Sequence, residues 1–251
     1  MALFPTRRTR SFYARALYSR GQYTTRAGGF KGRFHMRDSG DYEHLAGPMF
    51  EREQLETFLQ VLKEDDVLYE IGGHIGTWSV FMAQRLSKGK LVVFEPEPRN
   101  NARLAENLSL NQLNNVTLLK VAASNSNGTA SFGVHDRNSD GRHSLIVNEV
   151  HGQTIEVPTL RLADGTQAHT IPTPTPLAIA CAGAQLPVLE EAWRSLQRQT
   201  YQRIFIEAHG VQLKQIGKTV DDVAAVLKDA GFTPVTQWDR GGEVISIMQR
   251  D

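Results

Sequence analysis

A single cysteine, Cys181, occurs in 251 residues. That excludes a disulfide framework and leads one to expect a reducing compartment, the cytoplasm. No pair of cysteines or histidines stands at ligand spacing, so no metal centre is expected. No run is apolar enough to cross a membrane, no segment repeats, and no low-complexity linker divides the chain. Acidic residues are missing from positions 1–37, which hold nine Lys or Arg. The remainder carries 19 basic against 27 acidic residues, so charge is balanced overall but unevenly spread. The dinucleotide fingerprint, glycines at i, i+2 and i+5, is absent as well. So is the Asn-Pro-Pro-Tyr type of run that grips a flipped base. With basic charge confined to the N-terminal arm, this argues against nucleic acid as the substrate.

Aromatics interleave with the arginines of that arm: Phe4, Phe12, Tyr13, Tyr18, Tyr23, Phe30 and Phe34. Three readings compete. The arm docks peripherally on an anionic surface; or it is a targeting peptide, Arg-rich and acid-poor, though without the apolar stretch of a secretory signal; or it is a short helix around Arg8–Tyr18 followed by a hairpin. In the third reading segments 22–26 and 31–36 pair across Gly28-Gly29. The third is preferred, because a Gly-Gly turn between alternating segments accounts for the pattern without a partner.

The most informative stretch is Val67-Leu-Tyr-Glu-Ile-Gly-Gly-His-Ile-Gly76, followed by Leu91-Val-Val-Phe-Glu-Pro96. It reads as a strand ending on an acid, a glycine turn, a helix from about Thr77 to Leu86, and a second strand ending on another acid. Glycines 72, 73 and 76 allow a sharp turn and close approach to a ligand. Glu95 follows Gly76 by 19 residues, where a carboxylate at a second strand tip holds the hydroxyls of a ribose. The unit is therefore expected to bind a nucleoside. Glu70 stands at the mouth of the turn and would repel a pyrophosphate. A carboxylate there suits a cofactor with a cationic end, and S-adenosylmethionine carries a sulfonium and an ammonium.

Apolar spacing predicts a helix over 49–63, a first strand over 66–71, a second over 90–95, a helix over 99–111 and a third strand over 116–122. This alternation argues for a parallel sheet. Short alternating runs at 129–134, 144–147 and 154–160 then predict a β excursion with an exposed loop. After the stiff Pro-rich lead-in of 170–176, the pattern predicts a strand over 177–181, a helix over 185–197, a strand over 203–208 and a helix over 220–230. A terminal hairpin, 233–238 with 244–249, turns at Asp239-Arg-Gly-Gly.

The acid-x-Gly-x-x-x-Gly turn, the acid-Pro strand tip and the closing hairpin together resemble the class I methyltransferase fold. More narrowly, the chain resembles the FkbM family of S-adenosylmethionine-dependent O-methyltransferases. The matching residues are Tyr69–Gly76, Val93-Phe-Glu-Pro-Glu-Pro98, Leu104 with Glu106-Asn107 and Asn111, Val116–Ser124, Glu156-Val-Pro-Thr-Leu160 and Ile204-Phe-Ile-Glu-Ala-His209. The resemblance covers roughly residues 45–250. It implies a Rossmann-like α/β fold: a seven-stranded, mostly parallel sheet with a terminal antiparallel hairpin, preceded by a helix and hairpin extension. The boundaries expected are 1–48 for the basic extension and 49–251 for the methyltransferase-like domain.

The resemblance further implies that Glu70, where the family usually has Asp, lies near the methionine end of the cofactor, with Gly72 and Gly76 shaping the turn. It implies that Glu95, followed by Pro96, binds the ribose, and that Ala123 and Ser124 lie near the adenine. His74 is a further candidate donor to the cofactor, and Trp78 is expected to pack beneath the turn. The fourth strand departs from the family. Where members read Ile-Lys-Ile-Asp-Val-Glu-Gly-Ala-Glu, this chain reads Leu177-Ala-Ile-Ala-Cys-Ala-Gly-Ala-Gln185. Ala178, Ala180, Ala182 and Gln185 thus replace a lysine, an aspartate and two glutamates at a strand tip that should face the chemistry.

Methyl transfer to an alcohol needs alignment and a base for the hydroxyl proton. The remaining candidates are Glu207 and His209 at the fifth strand tip, with His135, Asp136 and His143 less well placed. The expected activity is O-methylation of a hydroxyl on a glycan, lipid-linked sugar or secondary metabolite. The alternative is a degenerate methyltransferase-like domain that binds cofactor or a partner without turnover.

Overall fold

The computed structural model describes residues 21–47, 50–134, 144–145, 152–164, 172–181, 185–197 and 201–250. The helix expected at Arg8–Tyr18 falls outside these residues, as do His135, Asp136, His143 and Ala182.

The described chain begins with the expected hairpin, β1 (Gln22–Ala27) against β2 (Phe30–His35). Gly28 and Gly29 turn it with φ of 55° and 86°, a left-handed backbone that favours glycine. Two helices follow, α1 (Ser39–Leu45) and α2 (Arg52–Val61). The first was not foreseen. Its signal is a capping box in which the Asp38 and Asp41 side chains each accept from the other's backbone amide, but Gly40 in its first turn masks the helical pattern.

Strands and helices then alternate: β3 (Val67–Ile71), α3 (Thr77–Arg85), β4 (Lys90–Phe94), α4 (Pro98–Leu110) and β5 (Val116–Leu119). Glu97 caps α4 by accepting from Asn100 N at 2.6 Å, and Pro98 opens it, so the helix starts one residue before the expected Arg99. The third strand is a correction. Instead of one strand over 116–122, β5 ends at Leu119, and after the exposed Lys120 the chain enters a second sheet as β6 (Ala122–Ala123). There β6 pairs with β8 (Gln153–Leu160), which also pairs with β7 (Gly128–Val134). Of the expected run at 144–147, only a bridge from Ser144 to Gly133 is described.

The remaining elements are β9 (Pro176–Ile179), α5 (Gln185–Gln197), β10 (Arg203–His209), α6 (Gly210–Gln215), α7 (Val220–Asp229), β11 (Phe232–Asp239) and β12 (Glu243–Arg250). The short α6 was not anticipated; its N-cap, His209, makes no side-chain cap. The seven-stranded sheet has the order β11-β12-β10-β9-β3-β4-β5. Neighbours from β10 to β5 are parallel, and β12 runs antiparallel to both β10 and β11. The fold is thus the expected Rossmann-like α/β sheet with a terminal antiparallel hairpin.

Both faces of this sheet are buried, as parallel sheets require. Alternate residues feed opposite cores: Tyr69, Ile71, Val92 and Phe94 one, Leu68, Leu91 and Val93 the other. The second core also takes Ala27 and Phe34 of the N-terminal hairpin, with Leu45, Leu55 and Phe81 of the helices. Two asparagines one turn apart, Asn107 on α4 and Asn111 at its C-cap, hold that hairpin. Asn107 accepts from His35 N at 2.9 Å and donates to Ile75 O at 2.8 Å; Asn111 accepts from Arg33 N at 2.9 Å and donates to Arg33 O at 2.6 Å. Strand β2, paired with β1 along one edge, therefore presents the backbone groups of its other edge to side chains.

Candidate active site

Strand order reverses between β3 and β9, and in such sheets ligands bind in the crevice at the carboxyl ends of the strands flanking the switch. The glycine turn after β3 is fitted tightly to β9. Gly72 has φ of 91°, and a Cβ there would lie 2.5 Å from Ala180 O. Its amide donates to Phe94 O at 2.9 Å. His74, at φ of 50°, holds a left-handed conformation that is strained for a non-glycine residue.

Two adjoining cavities open here. The smaller is lined by residues including Glu95, Pro96, Ala122, Ala123 and Phe132. The larger, about 410 Å³, is walled in part by Glu51, Glu70, Trp78, Phe205, Glu207 and His209. Gly72, His74 and Ala180 line both, so the turn and the tip of β9 form their common wall. Of the cofactor-binding candidates read from the sequence, Ser124 and Gly76 line neither. The Ser124 amide donates to Leu160 O at 3.1 Å, and Gly76 is the N-cap of α3. Trp78 packs on Phe205, ring centroids 4.6 Å apart, and on Phe58.

The two strand-tip acids are both buried. Glu95 Oε2 accepts from His74 N at 2.7 Å and Oε1 from Glu97 N at 2.9 Å, so this carboxyl ties the glycine turn to the end of β4. In the ionised form each oxygen keeps a second lone pair for a ligand hydroxyl. Burial raises its pKa to about 8 despite those amides. Glu70 Oε2 accepts from Ser79 Oγ at 2.6 Å, and burial likewise pushes its pKa up to about 8. Left to itself Glu70 is mostly protonated at neutral pH, and a cationic ligand would favour its ionised form. Nearby, Thr77 Oγ1 is buried in the first turn of α3 without a hydrogen-bond partner among the described residues. Two buried carboxyls and an orphaned hydroxyl suit the polar, cationic end of a nucleoside cofactor.

At the far side of the larger cavity, Glu207 and His209 alternate onto one face of β10, and β12 places Glu243 directly opposite His209. The imidazole Nδ1 lies 2.5 Å from Glu243 Oε1, and Nε2 lies 3.7 Å from Glu207 Oε2. Nδ1–H therefore donates to Glu243, and the neutral ring presents a lone pair on Nε2. Burial opposes charging of His209, but the Glu243 hydrogen bond and the charges of Glu207, Glu243 and Glu51 outweigh it, leaving its pKa raised. Glu207 is raised chiefly by burial. Glu51 is raised to about 7 by burial and by Glu207, against the pull of Arg240, which hydrogen-bonds to it. The ligating atoms of Glu207, His209 and Glu243 also lie within 4.8 Å of one another, near enough for one divalent cation to bridge. Spacing along the chain did not disclose that grouping, because Glu243 arrives through strand pairing.

The sequence model of the methyltransferase FkbM domain matches residues 70–234, which hold most of the sheet and most of the cavity lining but not Glu51 or Glu243. The chain belongs to the FkbM methyltransferase family. Among curated relatives, the hexuronic acid methyltransferase AglP of Haloferax volcanii is 25% identical over 225 residues, spanning 89% of this chain and 87% of its own. The 2-O-methyltransferase NoeI of Sinorhizobium fredii is 38% identical over 79 residues, 32% of this chain and 31% of its own. Among solved structures, the methyltransferase FkbM of Methylobacillus flagellatus superposes with a TM-score of 0.52 at 12% identity, over 76% of this chain and 46% of that one. The precorrin-6y C5,15-methyltransferase of Geobacter metallireducens gives 0.51 at 15% identity, over 80% and 89%. These two likenesses establish the fold.

Within this FkbM fold, two positions of the fourth-strand departure, Ala178 and Ala180, fall on the cavity walls. Ala178 pairs with Glu70 on one side and Phe205 on the other, and both Ala178 and Ala180 line the larger cavity. Gln185 is fully buried; its Nε2 donates to Glu207 O at 2.7 Å, while its Oε1 has no partner among the described residues. A glutamate carboxylate could not make that donation. The glutamine thus fastens α5 to the strand that carries Glu207 and His209. The described residues contain no helix long and apolar enough to cross a membrane.

Proposed function

We propose that this protein is an S-adenosylmethionine-dependent O-methyltransferase acting on a hydroxyl of a glycan, lipid-linked sugar or secondary metabolite. One observation carries the reading. A cavity beside the acid-tipped βαβ unit shares a wall, Gly72, His74 and Ala180, with a second cavity that ends on an oriented imidazole. Cofactor and acceptor sites of a transferase must meet in this way. Membership of a methyltransferase family and the sugar-directed names of AglP and NoeI support it.

When bound, the cofactor supplies a methyl group already activated by its sulfonium, so no further electrophile is needed. In this assignment Glu70 holds the cationic end and Glu95 the ribose, while Gly72 lets the backbone approach both sites. The smaller cavity, with Pro96 and Ala123 in its wall, takes the adenosine. His209 Nε2 accepts the acceptor's hydroxyl proton, and Glu243 keeps the ring in that tautomer and stabilises the imidazolium formed. Glu207, across the 3.7 Å gap, accepts from the acceptor or shares the imidazolium charge.

With no charged side chain at Ala178, Ala180 or Gln185, the proton transfer depends on β10 and β12 instead. Calorimetric titration with S-adenosylmethionine and S-adenosylhomocysteine tests the cofactor site, and transfer of labelled methyl groups to a panel of sugars tests the reaction. Binding without any transfer would favour the degenerate, non-catalytic reading.

A further inference from the structure

The larger cavity has an unusual charge make-up. Four carboxyl groups line it, those of Glu51, Glu70, Glu207 and Glu243, beside the imidazoles of His44, His74 and His209, and among the described residues no lysine or arginine does. Arg240 stands outside the lining, hydrogen-bonded to Glu51 and 3.8 Å from Glu243 Oε2. It is committed to the wall's own carboxylates. A uronate or phosphate on the reacting unit needs charged donors, above all the fork of an arginine. Here it would meet the carboxyl groups of Glu51, Glu207 and Glu243 instead, and like charges brought together are costly.

The His209 hydrogen bond holds Glu243 toward its ionised form, which only accepts hydrogen bonds, and Glu51 and Glu207 keep acceptor oxygens in either form, so this wall suits a ligand rich in O–H donors. The rest of the cavity supplies apolar surface from Trp78, Met82, Ala178 and Phe205. The Trp78 and Phe205 rings lie 4.6 Å apart at 48° to each other. A ring with hydroxyls on its edge and C–H bonds on its faces fits both kinds of wall. We propose that the acceptor unit entering this cavity is an uncharged sugar, and that uronic acids are rejected by the carboxylates of Glu51, Glu207 and Glu243. The inference rests on the methyltransferase reading. It separates this chain from the relative whose name specifies a hexuronic acid.

The test uses the full chain, labelled S-adenosylmethionine, and matched methyl glycosides: glucoside with glucuronide, galactoside with galacturonide, and mannoside with mannuronide. Label is expected in at least one neutral member, at a rate about tenfold or more above its uronide partner. The Glu51→Gln variant is expected to narrow that ratio. Equal or faster labelling of the uronides, or labelling of no sugar in either set, overturns the proposal. S-adenosylhomocysteine titration, run beside it, shows which idea has failed. Without cofactor binding the methyltransferase reading itself falls; with binding but the wrong preference, only the acceptor inference does.

Discussion

Glu243 faces His209 across the β10–β12 ladder, its Oε1 2.5 Å from the imidazole Nδ1, although 34 residues separate the two in the chain. Residues directly opposite on antiparallel strands share a face of the sheet, so pairing alone delivers the contact. The proposed proton acceptor is therefore held by a secondary-structure register rather than by a loop.

Replacing His209 with alanine is expected to lower the transfer rate by about 10²–10⁴-fold, the usual worth of a general base, with cofactor affinity little changed. Glu243→Gln is expected to move the alkaline-going limb of the pH–rate profile to lower pH. The sign follows from the surroundings: Glu207, Glu243 and Glu51 raise the imidazole pKa, against burial, and Arg240 stands behind them. Removing one negative charge lowers it. A purely structural role for Glu243 would reduce the rate at every pH alike.

Glu70 and Glu95 make the unliganded protein less stable as pH rises. Each carboxyl has a folded pKa near 8, above the ordinary value of 4.5, so the folded state binds more protons than the unfolded one between those limits. Stability should fall on the order of several kcal/mol from about pH 5 to pH 8 and level off above that. Urea denaturation across this range is the measurement. In Glu70→Gln the decline should be shallower, and a wild-type curve that rises over the same range would contradict the assignment.

Glu95→Ala should weaken binding of S-adenosylhomocysteine by about 1.5–3 kcal/mol, the scale of a charged hydrogen bond. The substitution also frees the amides of His74 and Glu97, which Glu95 now accepts from. Some loss of thermal stability should accompany it. Unchanged affinity would mean that the ribose is held elsewhere.

These two acids were legible in the sequence because their signals are local. Glu70, Gly72 and Gly76 sit within one turn, and Glu95 ends the next strand. Glu207 and His209 were legible as the tip of a strand. Glu243 and Glu51 were not. The first reaches the site through a register between strands, and the second stands at the N-cap of α2 with φ of 51°, a conformation no local pattern announced. The split of the third strand was hidden by the continuous apolar run around Lys120. The short helices α1 and α6 were hidden by glycines in their first turns. The outcome follows a physical divide: contacts made along the chain show in its pattern, and contacts made by folding two segments together do not.

Gly72→Ala tests the close approach of the turn to β9. The new methyl would stand 2.5 Å from Ala180 O, at a backbone conformation with φ of 91°. A loss of about 2–4 kcal/mol in unfolding free energy is expected, from strain and displacement together. Because Gly72 lines both cavities, cofactor affinity should fall as well.

The central claim is that the acid-tipped βαβ unit holds S-adenosylmethionine, and isothermal titration with the cofactor and with S-adenosylhomocysteine tests it most directly. The account predicts dissociation constants on the order of micromolar for both. It also predicts that the preference for the sulfonium form grows between pH 7 and pH 9, as Glu70, with its pKa near 8, becomes ionised. Failure of the folded protein to bind either compound at any of these pH values would contradict it.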